Sequence, residues 1–326
     1  MSLATEPTGK PADRRRTIIL GVLKFLVSLV AFWLVLRAVD FHDILRQFEA
    51  ADPTWMAFAF VALIVHFVLV VWRWDYVLDR FYGLRLGARR LSLVFGLGEV
   101  LGPALPSFVG MDVVRTLALA GAAPLITIAK AVTVDRVIGL VALLVMIALS
   151  VPFFAVLVSS GPLLLVVAAI GIGGLIAYFI GLQTGPILAR VPALGSGLVK
   201  LLGEMRRVSY DGRAMAVLIL SGLAVHVSSV LIFWCAARML GGALGVVPCL
   251  LIMPTAMLIA SAPISLGGWG VREGALVTGF ALVGADPENV VAASICFGLS
   301  GIVSGAIGIA AWPLLPRAAV TEAPAP

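Results

Sequence analysis

Leu105-Pro-Ser-Phe-Val-Gly-Met-Asp-Val-Val-Arg115 and Ala262-Pro-Ile-Ser-Leu-Gly-Gly-Trp-Gly-Val-Arg-Glu273 share the spacing Pro-x-x-x-Gly-x-x-x-x-Arg and lie about half a chain apart. Each interrupts an apolar stretch of membrane length, 91–120 in the first case and 248–286 in the second. Within hydrocarbon every backbone polar group needs a partner inside the protein, so a break is tolerated only where it is buried in protein or lines a cavity. A charge at that depth is costly unless it is paired or hydrated. Two such breaks at matching spacing predict two related halves. Each half sends a broken hairpin toward one central site, with tips at Pro106 and Gly110 and at Pro263, Gly267 and Gly268.

Composition supports a membrane setting. Hydrophobic residues make up 61% of the 326 and charged residues 12%, with a mean hydropathy of +1.12. That excludes an ordinary soluble domain and predicts an all-α, polytopic membrane protein. The apolar segments are 17–36, 54–72, 91–120, 133–155, 161–181, 214–236, 248–286 and 288–315. The net charge of +6 fits basic cytoplasmic loops beside anionic lipid and does not require nucleic acid as a partner. Cys235, Cys249 and Cys296 sit in apolar stretches without Cys-x-x-Cys spacing and read as packing thiols. No metal-ligand cluster, nucleotide loop or Ser/His/Asp arrangement is present, so no cofactor is expected.

Lys and Arg distribution sets the topology. Arg14, Arg15 and Arg16 place the N-terminal tail 1–16 in the cytoplasm, and the acidic loop 37–53 falls outside. The basic loop 73–90 returns inside, as does the stretch 182–213. The first hairpin then enters and leaves from the cytoplasm, the second from outside, and the C-terminal tail 316–326 is cytoplasmic and disordered. One transmembrane domain, 17–315, thus divides into inverted repeats 17–155 and 161–315. The alternative, in which each hairpin is a pair of full spans or one kinked span, remains open at this point. Residues 198–207 suit a short amphipathic helix on the inner leaflet.

Charges inside the apolar stretches are the candidate substrate-binding groups. Arg115 and Arg272 follow the hairpin tips, where a helix begins and free N–H groups gather. A planar guanidinium there binds phosphate bidentately. The competing reading is that each pairs locally, since Asp112 and Glu273 are neighbours. Asp112 can alternatively cap its helix. Glu99 lies among Gly96, Gly98 and Gly102 and reads either as an arginine partner or as a proton or cation site. Arg136 anchors the start of 133–155, whereas Asp135 needs a partner. Lys24 reads as a snorkelling side chain, and His66 and His226 read as interhelical hydrogen-bonding groups. Gly98-x-x-x-Gly102 and Gly301-x-x-x-Gly305 permit close helix contact.

At these residues the chain resembles the flippase-like membrane family that contains the transmembrane domain of lysylphosphatidylglycerol synthases. The matching stretches are Leu105-Pro106 through Gly110, Asp112 and Arg115, then Asp135-Arg136, then Pro263 through Gly267-Gly268 and Gly270-Val271-Arg272-Glu273. The family's usual Gly-Gly-Asp reads Gly110-Met111-Asp112 here.

The resemblance implies translocation of an anionic phospholipid or polyprenyl-linked headgroup between leaflets of the inner membrane. It also implies a lipid partner with a phosphate headgroup, and a separate lipid-synthesising enzyme as a second partner. In the synthases a soluble domain makes the aminoacylated lipid, and no soluble stretch of that length is found in this sequence. The expectation is therefore a transporter, not an enzyme. A secondary transporter of a small anion, a membrane-embedded lipid transferase and a non-catalytic membrane partner are the alternatives.

Overall fold

The computed structural model describes residues 30, 41–102, 110–157, 161–188, 196–262, 265 and 268–315. Nearly all of the expected span 17–36, with Lys24, both tails, and the tip residues Pro106, Pro263 and Gly267 lie outside the described residues. The elements are α1 (Phe41–Glu49), α2 (Pro53–Tyr82), α3 (Gly87–Leu101), α4 (Gly110–Ala118), α5 (Leu125–Leu157) and α6 (Gly161–Ala168). A π-helical turn (Ala169–Gly173) then leads to α7 (Gly174–Leu188), α8 (Ser196–Tyr210), α9 (Gly212–Met239), α10 (Val246–Ala260), α11 (Val271–Ala281) and α12 (Pro287–Ala311). No strand occurs among the described residues.

Among the described residues, five helical stretches are long and apolar enough to cross a bilayer: Pro53–Tyr82, Leu125–Val156, Leu163–Gly185, Gly212–Met239 and Pro287–Ala311. Their outward faces carry exposed apolar side chains, such as Phe58, Val61, Val65 and Val68 on α2 and Leu165, Ile176 and Phe179 around α6 and α7. Such a surface is stable against lipid and not against water. The chain is a multi-pass membrane protein.

Two segment boundaries differ from the sequence reading, for one reason. The span expected to end at 72 continues to Tyr82, so Arg73 is a buried residue of a membrane helix and not part of a basic loop. The span expected to begin at 133 begins at Leu125 and takes in Lys130, Asp135 and Arg136. Hydropathy ends a segment at a charge. Here the charges are paired across helices, Arg73 with Asp135 and Lys130 with Glu204, which lets the helix run through them. α8 forms where the amphipathic helix was expected.

Side-chain contacts gather the loops at two ends. Arg80 binds Asp211 at 2.6 Å, Arg207 donates to the Phe81 carbonyl, and Lys130 and Tyr82 both reach Glu204. At the opposite end the Asp52 N–H donates to the Met239 carbonyl at 2.9 Å. There Arg238 also lies over the Trp55 ring, and Asn289 bonds to Ala237, Leu240 and Gln47. The loops assigned to one face by charge are therefore neighbours in space.

Two pairs of half-length helices complete the core. α3 and α10 have 15 residues each, about 22 Å at the helical rise, too short to span. α3 packs on α4 and on α12, while α10 packs on α11 and on α5, and α2 runs along α9. Leu91 of α3 and Leu119, just after α4, join one buried cluster with Trp74 and Leu78. Just before α10, an added Cβ at Gly242 would meet the Asn289 side chain.

Both pairs converge on one stripe of α12. An added Cβ at Gly298 would meet Arg272 at 2.7 Å, one at Gly301 would meet Glu99 at 3.1 Å, and one at Gly305 would meet the Gly96 carbonyl at 2.8 Å. These positions are three and four residues apart and share a helix face. The Gly301-x-x-x-Gly305 motif thus brings α3 against α12, as its spacing suggested.

Candidate functional site

Arg115 is positioned by glycine on the neighbouring helix. A Cβ at Gly98 would press on Arg115 Cγ at 3.2 Å, and one at Gly102 would strike the Met111 backbone at 2.8 Å. Only a Gly-x-x-x-Gly face admits α4 this closely, and it sets Arg115 one helix turn from its start at Gly110. The residue is 4% exposed. Its guanidinium lies 4.2 Å from the Phe95 ring centroid and 5.4 Å from that of Trp74. Aromatic faces attract a cation without using its N–H donors. The nearest carboxylate, Glu99, is 3.9 Å from Arg115 Nη2, beyond hydrogen-bond distance. Arg115 Nε is buried with no hydrogen-bond partner.

The other charges around it are matched more tightly. Asp135, 3% exposed, meets Arg73 through a 3.1 Å hydrogen bond from Nη2 and a 3.0 Å contact with Nε. This is the partner Asp135 required, and it comes from a residue assigned to a loop by its sequence. Arg73 Nη1 has no partner. Arg136 Nε donates to both Asp112 oxygens at 2.9 and 2.8 Å. Asp112 therefore clamps α4 to α5 through Arg136. These groups surround a cavity of about 450 Å³ lined by Arg73, Phe95, Glu99, Arg115, Asp135 and Arg136, with His66, His226 and Ser229 on its far wall and Ser261 from the end of α10. His226 Nε2 donates to the Gly139 carbonyl at 2.9 Å and His66 Nδ1 lies 3.0 Å from Ser228 Oγ. Both histidines are thus in the interhelical hydrogen bonds expected of them.

Arg272 and Glu273 form a second, separate cluster. Gly268 and Gly270 adopt φ of 80° and 81°, a region favouring glycine, and turn the chain into α11. Glu273, fully buried, reaches back to the Gly270 N–H at 2.6 Å, half of a capping box. It also accepts from Arg272 Nη2 at 2.6 Å and from Ser294 Oγ at 2.8 Å. Arg272 Nε and Nη2 are further engaged by Ser294, and its guanidinium lies over Trp269 at 4.6 Å. Arg272 is not among the residues lining the 450 Å³ cavity. Arg115 and Arg272 are thus not brought together at this cavity. Arg115, Glu99, Asp135 and Arg136 come together with Asp112 at the rim, while Arg272 and Glu273 hold the start of α11 against α12.

A larger cavity of about 650 Å³ lies between the α10–α11 pair and α5–α6, and no charged residue lines it. Among the described residues no three His, Cys, Asp or Glu side chains come together as metal ligands.

The model of the lysylphosphatidylglycerol synthase transmembrane region covers residues 21–308. The chain belongs to this family. The match takes in both short-helix pairs and the charged residues of both clusters. A search of curated proteins found no match.

Proposed function

We propose that the protein carries an anionic lipid headgroup between leaflets, with Arg115 as the group that binds the phosphate. The observation that supports this most is the unspent donor capacity of Arg115. It is buried, held by aromatic rings and lacks a hydrogen-bonded carboxylate, whereas Arg136 and Arg272 have donors committed to carboxylates at 2.6–2.9 Å. A buried guanidinium with free N–H groups favours an incoming oxyanion. Arg73 Nη1 supplies a second free donor on the same cavity wall. Glu99, Asp112, Asp135 and Arg136 set the charge of the pathway, and Arg272 with Glu273 holds the second hairpin in place. In this reading the short-helix pairs are re-entrant hairpins of two inverted repeats, and the basic end is cytoplasmic by the positive-inside rule. The membrane is then the inner membrane, and an enzyme that makes the lipid is the natural partner.

The test is exchange of fluorescent phosphatidylglycerol between leaflets of reconstituted vesicles, read by quenching from outside. Loss of charge-assisted hydrogen bonds of about 2–3 kcal/mol predicts that Arg115→Ala slows exchange by about 100-fold. Full exchange by a folded Arg115→Ala protein would refute the assignment. Uptake of soluble glycerol phosphate without lipid exchange would favour the small-anion alternative.

A further inference from the structure

We infer that anion binding at Arg115 is coupled to uptake of a proton by Glu99, so that a lipid phosphodiester and a proton cross together. The inference rests on the anion-site reading above and adds its energy coupling. Charge counting around the cavity is the starting point. Arg73, Arg115 and Arg136 face Glu99, Asp112 and Asp135, so the empty site is already neutral. Two of the three carboxylates are held by hydrogen-bonded ion pairs, Asp135 to Arg73 and Asp112 to Arg136. Glu99 alone has only the 3.9 Å contact with Arg115 and no hydrogen bond among the described residues.

A phosphodiester that takes the Arg115 donors therefore competes with Glu99. It would leave that carboxylate as a surplus negative charge in a low-dielectric pocket, and a buried unpaired charge relieves itself by changing protonation. The other guanidinium groups that face it, Arg73 and Arg136, are already bonded to Asp135 and Asp112. From α4 it is faced by Arg115 and Asp112, and from α5 by Asp135 and Arg136. From α2 it is faced by Arg73 and His66, and from α9 by His226. α12 presents Gly301 and Gly305, and Arg272 of α11 is engaged by Glu273. The Glu99 side chain is 18% exposed, so water can deliver the proton. The step balances: one negative charge enters with the anion, one proton enters as the Glu99 O–H forms, and the site stays neutral. A pH gradient across the membrane then biases the direction of lipid movement.

Calorimetric titration of the purified protein with dihexanoylphosphatidylglycerol, in two buffers of different ionisation enthalpy, counts protons taken up per anion bound. This phosphodiester has no ionisation near neutral pH, so any proton goes to the protein. The wild type should take up about one proton per anion, with affinity falling about tenfold per pH unit on the alkaline side. Glu99→Gln should bind more tightly, without proton uptake and without that pH dependence. Glu99→Asp should retain proton uptake, which keeps the test decisive if Glu99→Gln does not fold. Anion binding by the wild type without proton uptake would overturn the coupling while leaving the anion site intact. Proton uptake that persists in Glu99→Gln would overturn the assignment to Glu99 and move it to the histidines. No binding by the wild type would overturn the anion site itself, and the coupling with it.

Discussion

Breaking the Arg73–Asp135 pair should destabilise the protein more than any charge change at its ends. Both partners are nearly inaccessible, with 7% and 4% of their side chains exposed, and they meet at 3.0–3.1 Å between α2 and α5. Asp135→Asn leaves a buried guanidinium without a counter-charge, and such a loss costs about 3–5 kcal/mol. At roughly 2 °C per kcal/mol for a chain of this size, the melting temperature should fall by roughly 6–10 °C. Replacing both partners by apolar residues, Arg73→Met with Asp135→Leu, removes the uncompensated charge and should recover most of that loss. A thiol-reactive dye reports unfolding in detergent, because Cys235 and Cys249 are buried and Cys296 is partly so. An unchanged melting temperature in Asp135→Asn, or a double variant less stable than the single one, would refute the reasoning that the pair offsets its own burial.

Three further outcomes follow from the packing and the ends. Gly96→Ala puts a Cβ 2.6 Å from the Gly305 carbonyl and should destabilise by about 1–3 kcal/mol through overpacking. Gly203→Ala, with nothing within 4 Å, should be neutral or stabilising by about 0.5–1 kcal/mol, and thermal melts of the two distinguish close approach from helix propensity. Asp211 has its carboxyl pulled below the ordinary range, first by the Ala214 N–H it caps and then by Arg80. A group with a depressed folded-state value contributes stability above its unfolded pKa and loses it as pH falls through the folded one. The wild type should therefore lose this increment below about pH 4. Asp211→Asn should lack it at every pH, so the difference in melting temperature between the two should vanish in acid.

The all-α membrane fold was legible because hydrophobic runs, Gly-x-x-x-Gly spacing and the duplicated Pro-x-x-x-Gly-x-x-x-x-Arg each report a local constraint. Glu99, Arg115, Asp112 and Arg136 were legible for the same reason, since an ionisable residue in an apolar stretch is conspicuous. Arg73 was not. It follows a long apolar run and precedes Asp75, Asp79 and Arg80, so along the chain it looks like the start of a loop. Its role depends on Asp135, 62 residues away, and the unmet need of Asp135 for a cation was the one signal pointing to it. The contrast between Arg115 and Arg272 was equally invisible. Both follow a glycine tip and lie over aromatic rings, and the difference is that Glu273 and Ser294 take the donors of Arg272 while Arg115 Nε has no partner. Trp74 and Phe95 are core residues, and together they also hold the cation.

Solid-state NMR of the protein in lipid, with the Arg guanidinium carbons labelled and dephased by lipid phosphorus, tests the central claim most directly. A phosphate hydrogen-bonded to Arg115 lies about 4 Å from its Cζ, so that carbon should dephase strongly and the effect should disappear in Arg115→Lys. Dephasing confined to Arg272, or none at either position, would contradict the account.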